Sequence, residues 1–168
     1  MLFRSNLPWV DMSYEKLSSE YVLHPLMTAV STLTVNNGSD TYTFDIGTKE
    51  TATTNDDGEE STTTTTSVMY GDSEINSSYF STFFQNLTLL KKSDTSSDKP
   101  SGKAVFTAEY KYTDGSTDTV KFYDAGGNKY LAEVNGISVG HLYKTNPSKL
   151  IEQVKTVANN KEVSDFAI

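Results

Sequence analysis

The sequence predicts an α+β fold: two tandem β-hairpin/strand/helix repeats that form an antiparallel sheet, with the helices packed on it. Three observations point there. Ala104–Tyr112 alternates, with Phe106, Ala108, Tyr110 and Tyr112 on one side and Val105, Thr107, Glu109 and Lys111 on the other. That period of two, in β-branched and aromatic residues, is the pattern of a half-buried strand. Two hairpin signals, Asn37-Gly38 and Asp114-Gly115, stand beside such alternation, because glycine reaches positive φ without a Cβ clash. Two apolar stripes have helical spacing: Phe80, Phe83, Phe84 and Leu87, then Pro147, Leu150, Ile151 and Val154. The hairpin turns lie 77 positions apart and the helices 67, and an insertion at 47–66 accounts for the difference. This is read as an internal repeat.

In chain order, residues 1–25 are expected to hold an extended segment and a short helix. Trp9 packs on the core in this reading. Asp11 or Ser13 caps the helix, which runs through about Leu23 with Tyr14, Leu17 and Tyr21 on one side, and Pro25 ends it. The first repeat spans 26–92. Its strand Ala29–Val35 turns Ala29, Leu33 and Val35 inward, and the returning strand Thr41–Ile46 does the same with Tyr42, Phe44 and Ile46. The Thr-rich insertion 47–66 has almost no apolar side chain to offset its ordering entropy. Asn55, Asp56, Asp57, Gly58, Glu59 and Glu60 form a natural tip for a long exposed hairpin, with flanks Thr-rich enough to pair as strands. Ser67–Tyr70 is a strand, Gly71-Asp72 a turn, and Asn76 or Ser77 a helix cap.

Residues 93–102 read as a polar linker, and 103–160 as the second repeat. There Thr119–Tyr123 returns with Val120 and Phe122 inward, Lys129–Val134 follows, and Ile137–Tyr143 is expected to add a fourth strand. Asn146 is the expected N-cap of the last helix and Pro147 its first residue. Lys149, Glu152, Gln153 and Lys155 are expected to face water. In the tail, 161–168, Val163, Phe166 and Ile168 are expected to dock an extra strand.

Composition narrows function. The 168 residues carry a net charge of −8, with no basic face, which argues against a nucleic-acid partner. The absence of cysteine excludes disulfides, thiolate metal sites and thiol catalysis. No run approaches the roughly 18 apolar residues of a membrane helix, so no membrane span is expected within the chain. Met1–Arg4 lacks signal-peptide anatomy, and Leu7–Asp11 is an odd beginning for a complete protein, so the chain is expected to be a piece of something longer.

No catalytic constellation stands out. His24 precedes Pro25 and His141 lies in a strand-like run; both read as structural, and there is no Gly-x-Ser-x-Gly elbow. No catalytic residue and no cofactor are assigned. Asp56, Asp57, Glu59 and Glu60 are weak candidates for a cation, but they lack the alternating spacing and closing glutamate of a calcium loop. The preferred reading makes 55–60 the tip of an interaction loop. Tyr70, Tyr79, Tyr123, Tyr130 and Tyr143 are candidates for a sugar-binding platform. Asn37, Asn76 and Asn86 head glycosylation-type triplets, which arise easily in a chain so rich in Ser and Thr.

The stretches Leu26–Val35, Thr41–Phe44, Tyr79–Leu87, Val120–Tyr123, Lys129–Gly136 and Ser148–Lys155 resemble the bacterial envelope-associated domain family DUF4340. The likeness covers most of the chain but rests on strand, turn and helix patterns, and the 47–66 insertion departs from it. The family has no assigned activity; its members are repeat-containing ectodomains behind an N-terminal membrane anchor, some encoded beside transporter components. The resemblance implies an extracytoplasmic, envelope location and a protein or transporter-associated partner, and it carries over no catalytic residue. The expected function is a non-enzymatic interaction module. The alternatives are a glycan-binding domain using exposed tyrosines and, further off, a cell-wall hydrolase built on His141 or His24 with carboxylates. Oligomeric state is not legible.

Overall fold

A computed structural model describes residues 20–54 and 60–166 of the chain. A single 3-10 turn, Met27–Ala29, leads into β1 (Val30–Asn36), β2 (Thr41–Thr54), β3 (Glu60–Tyr70), β4 (Ser73–Ile75) and helix α1 (Ser77–Thr88). Then come β5 (Phe106–Tyr112), β6 (Thr117–Asp124), β7 (Lys129–Val134), β8 (Ile137–Tyr143) and helix α2 (Thr145–Ala158). The eight strands form one antiparallel sheet in the order β4-β3-β2-β1-β5-β6-β7-β8, so the fold is α+β with an open sheet.

Each hairpin is set by its turn chemistry. Between β1 and β2, Asn37 N–H donates to Asp40 C=O at 3.1 Å, and Asn37 Oδ1 accepts from the amides of Ser39 and Asp40. Gly38 sits at φ +92°, and a Cβ there would press on the Val105 carbonyl oxygen at 3.0 Å. Glycine is therefore required by backbone angle and by space together. The centre of the sheet is the β1–β5 pair, with Leu33 opposite Tyr110 and Val35 opposite Ala108.

The predicted alternation holds. Phe106, Ala108, Tyr110, Val120 and Phe122 are buried on one face with Leu33, Val35, Tyr42 and Phe44. Both helices cover that face through Phe80, Phe83, Leu87, Leu150, Val154 and Val157. Aromatic rings fill the seam: Phe44 lies 5.2 Å from Phe80, and Phe84 meets Tyr110 edge-on at 6.1 Å. The opposite face carries Thr34 and Thr43, whose hydroxyls pair at 3.3 Å, and Thr32, which donates to Asp45 at 3.2 Å.

Several expectations are corrected. Glu20–Leu23 is not helical: Tyr21 makes an isolated bridge with Lys91, while the proposed caps and Trp9 fall outside the described residues. Ala29 belongs to the 3-10 turn, and β1 starts at Val30. Helix α2 begins at Thr145, one residue before the expected cap; Lys144 holds the cap position without a side-chain bond, and Asn146 and Pro147 lie in the first turn. Asn76 does cap α1, accepting from the amides of Ser78 and Tyr79. A three-residue strand, β4, which the sequence reading did not assign, lies between the expected Gly71-Asp72 turn and the Asn76 cap.

Gln153 does not face water. It is 8 % exposed and, with Asn86 at 2 %, forms a polar bridge between the helices. Asn86 Nδ2 donates to Gln153 Oε1 at 3.0 Å and to Ser164 C=O at 2.9 Å. Gln153 Nε2 donates to the same carbonyl at 2.8 Å, and Phe166 N–H to Asn86 Oδ1 at 3.0 Å. These bonds dock the tail as an irregular segment rather than a strand, with Val163 and Phe166 buried. Burial also removes Asn86 as a glycosylation acceptor. Ile168 lies outside the described residues.

Candidate functional site

Two places stand apart from the packed core. The first is the far half of β2 and β3. β1 pairs with β2 only from Thr41 to Asp45, and β4 pairs with β3 only from Val68 to Tyr70. β2 and β3 nevertheless stay in register from Phe44↔Tyr70 out to Thr54↔Glu60. Gly47–Thr54 and Glu60–Ser67 thus project as a two-stranded ribbon. Its cross-strand pair Thr48↔Thr66 puts β-branched side chains opposite each other, a favourable arrangement on a pleated surface. Thr62–Thr65 are exposed, and Lys49 reaches Glu74 on β4 at 3.5 Å.

The pairing of these Thr-rich flanks was legible in the sequence. Of the candidate tip residues, Asn55, Asp56, Asp57, Gly58 and Glu59 lie outside the described residues, and Glu60 opens β3. At the ribbon's root is a cavity of about 190 Å³ lined by Met27, Val30, Ile46, Thr48, Thr66 and Thr113.

The second place is the other edge of the sheet, where the stretch read as a linker packs along β8. Ser93 N–H donates to His141 C=O at 2.7 Å, and Ser138 Oγ donates to Asp98 C=O at 2.6 Å. Asp94 Oδ1 accepts from the His141 backbone N–H at 3.0 Å and meets its ring Nδ1 at 2.8 Å, while Oδ2 accepts from Lys129 Nζ at 2.7 Å. Burial works against the charge on Asp94, but the bonds from Lys129 and from the His141 ring and amide outweigh it and pull its pKa down to about 2. In return, the bond to Asp94 raises the pKa of Lys129.

The ring places Nδ1 against Asp94 and Nε2 3.5 Å from Asp98 Oδ2. His141, Asp98, Ser101, Tyr123, Asp124 and Leu131 line an adjoining cavity of about 360 Å³. The structure therefore brings His141 together with two carboxylates beside a cavity, the gathering a hydrolase would need. The neighbouring Ser93 does not complete a serine-hydrolase set: its hydroxyl donates to the His141 carbonyl at 3.1 Å rather than to the ring, so this pair lacks the nucleophile–base bond. His24 is exposed, its ring 5.4 Å from Tyr21.

Asp94, Asp98 and Lys129 escaped the sequence reading, since nothing in a polar Ser- and Asp-rich stretch marks which carboxylate docks. One signal was present. Gly140 stands inside β8, and a Cβ there would run into the Asp94 carbonyl oxygen. A glycine within a strand often marks such a close backbone approach.

Among the candidate tyrosines, Tyr143 is 58 % exposed with Lys129 Nζ 5.5 Å from its ring centre. Tyr70, Tyr79, Tyr123 and Tyr130 are half-buried and spread along the sheet and α1, so they form no common platform. Among the described residues, no three His, Asp or Glu side chains are placed to share a metal ion, and no helix is long and apolar enough to cross a membrane. No protein-family model, curated protein or solved structure matches the chain.

Proposed function

We propose that the chain is a non-enzymatic interaction module of a membrane-anchored bacterial protein, working outside the cytoplasm and holding a protein or other component of the cell envelope. The observation that carries this reading is the projecting ribbon. Its strands leave the sheet and keep their pairing, and along most of their length no other described strand covers them. An isolated two-stranded hairpin is marginal in water, and unpaired strand edges are templates for another chain. In this reading the ribbon is retained for contact. The resemblance to DUF4340 supplies the location and the class of partner. The two runs of four strands and a helix are read as tandem repeats, the first of which carries the ribbon.

Lys49 and Thr65 are direct cross-strand partners whose backbone groups face each other, so replacing residues 49–65 by Lys-Asn-Gly-Thr closes a tight hairpin and leaves the core untouched. In crosslinking capture from the native envelope, the full-length protein with this replacement is expected to fold and to lose its partner. Undiminished capture removes the ribbon from the account. A second reading, an acid–base site at His141, is favoured by the Asp94–His141–Asp98 gathering beside its cavity. It predicts turnover of an ester or glycan substrate that His141→Gln abolishes without loss of folding.

A further inference from the structure

The ribbon has two long edges, and they are not equivalent. The Asn37 N–H to Asp40 C=O bond at 3.1 Å sets the phase of the β1–β2 ladder. In an antiparallel pair, alternate residues turn both backbone groups to the same neighbour, so the even-numbered residues of β2 address the side on which β1 lies. β1 stops pairing at Asp45. Beyond it, Thr48, Glu50 and Ala52 present N–H and C=O groups to no strand among the described residues. The position beside them, held by no described strand, continues the line of β1, and at its root is the cavity of about 190 Å³ walled by Met27, Val30 and Ile46. Leu26, next to Met27 in the chain, is 68 % exposed. On β3 the corresponding outward groups belong to Thr62, Thr64 and Thr66, and only Thr66 reaches a described cavity.

Charge selects the occupant further. Residues 47–66 carry one lysine, Lys49, against the five acids Glu50, Asp56, Asp57, Glu59 and Glu60, and Lys49 is already engaged with Glu74.

We propose that the outer edge of β2 from Thr48 to Ala52, with the Met27–Val30–Ile46 cavity, is a strand-acceptor site for an extended, basic polypeptide segment of a partner. The segment adds antiparallel to β2 and seats one aliphatic side chain in the cavity. Main-chain bonds give such an interaction its affinity, and the pocket and flanking charge give its selectivity. A second copy of the same acidic ribbon is disfavoured by like charge. This inference rests on the reading of the ribbon as a contact surface and assigns the edge, direction and chemistry of its partner.

The test uses the full chain and a dye-labelled peptide of sequence Lys-Thr-Ile-Thr-Val-Thr-Lys, followed by fluorescence anisotropy and by amide hydrogen exchange. Binding is expected to slow exchange at Thr48, Glu50 and Ala52. Replacing both peptide lysines by Glu, or its Ile by Asp, is expected to weaken binding at least tenfold. In the protein, Ala52→Pro removes an N–H that the β2–β3 ladder does not use. It should leave the thermal midpoint nearly unchanged and weaken peptide binding at least tenfold, whereas Ala52→Val should do neither. Absent binding, equal binding by Ala52→Pro, or slowed exchange at Thr62 and Thr64 instead would each overturn the proposal. So would slowed exchange that grows with protein concentration without peptide, which identifies a second copy as occupant. Peptide binding that appears only after residues 1–19 are removed would identify the chain's own leading segment and likewise overturn it. If the 49–65 replacement loses its envelope partner while the peptide fails, the interaction reading stands and the assigned edge falls.

Discussion

The β1–β4/α1 half and the β5–β8/α2 half share an element order and differ at their outer edges. In the second half the chain closes its edge: Ser93, Asp94 and Asp98 lie along β8 and bond to Ser138 and His141. In the first half the outermost strand, β4, is only three residues long, and the strands inside it run on past it with no other described strand beside them. The contrast teaches that an edge left without a described cover is not a by-product of the architecture, because the same architecture covers its other edge with a dedicated segment. A Thr-rich strand has little apolar surface to bury, which lets the ribbon extend without another described strand beside it.

The largest expected effect tests the core common to both halves. Phe44→Ala removes a fully buried ring that packs against Phe80, Phe83 and Tyr70 and should cost about 3–5 kcal/mol in urea unfolding. Unfolding of one half alone would show that they do not share a core. Next comes the polar bridge. Asn86→Leu leaves the Phe166 amide and Gln153 Oε1 without partners and should cost about 1–3 kcal/mol. A double-mutant cycle with Gln153→Leu should recover part of that loss, and strict additivity would dissolve the bridge.

The covered edge has a pH signature. The pKa of Asp94 is lower folded, about 2, than in an unfolded chain, about 3.9. Its stabilisation is therefore present above about pH 4 and lost as pH falls toward 2. The side chain is 38 % exposed, so screening leaves about 1 kcal/mol. Asp94→Asn should flatten the acid limb of stability between pH 4 and 2 by that amount; an unchanged limb would mean that the edge cover is not held by this carboxylate. The smallest effect belongs to the open edge: Thr64→Ala on the exposed ribbon should change stability by no more than about 0.5 kcal/mol.

How much of this was legible follows from the range of each interaction. Alternation, Asn37-Gly38, Asp114-Gly115 and the apolar stripes are local signals, and they gave the strands of both hairpins, the two helices and the pairing of the Thr-rich flanks. What failed was polar and long-range. Gln153 reads as a surface residue because its partners, Asn86 and Ser164, are remote or lie in an irregular tail. The Asp94–His141 contact spans 47 positions and has no periodicity to announce it. Thr145 displaced Asn146 at the start of α2 because Lys144 N–H is held by the Asn128 carbonyl at 3.0 Å, so a tertiary bond fixes where the helix begins. Of the candidate site, the ribbon was visible as composition. Which of its edges lies open was not, because that depends on where β1 and β4 stop.

The segment that covers β8 also has a consequence for biogenesis. It precedes β5 in the chain, so on the ribosome it has been made before β8 emerges. Synthesis proceeds at about 5–20 residues per second, and the cover is waiting when its strand arrives. The last strand of the sheet is shielded from neighbouring nascent chains from the moment it forms. Among the described residues the ribbon has no such escort: both of its strands emerge early, with threonine rather than apolar side chains along them.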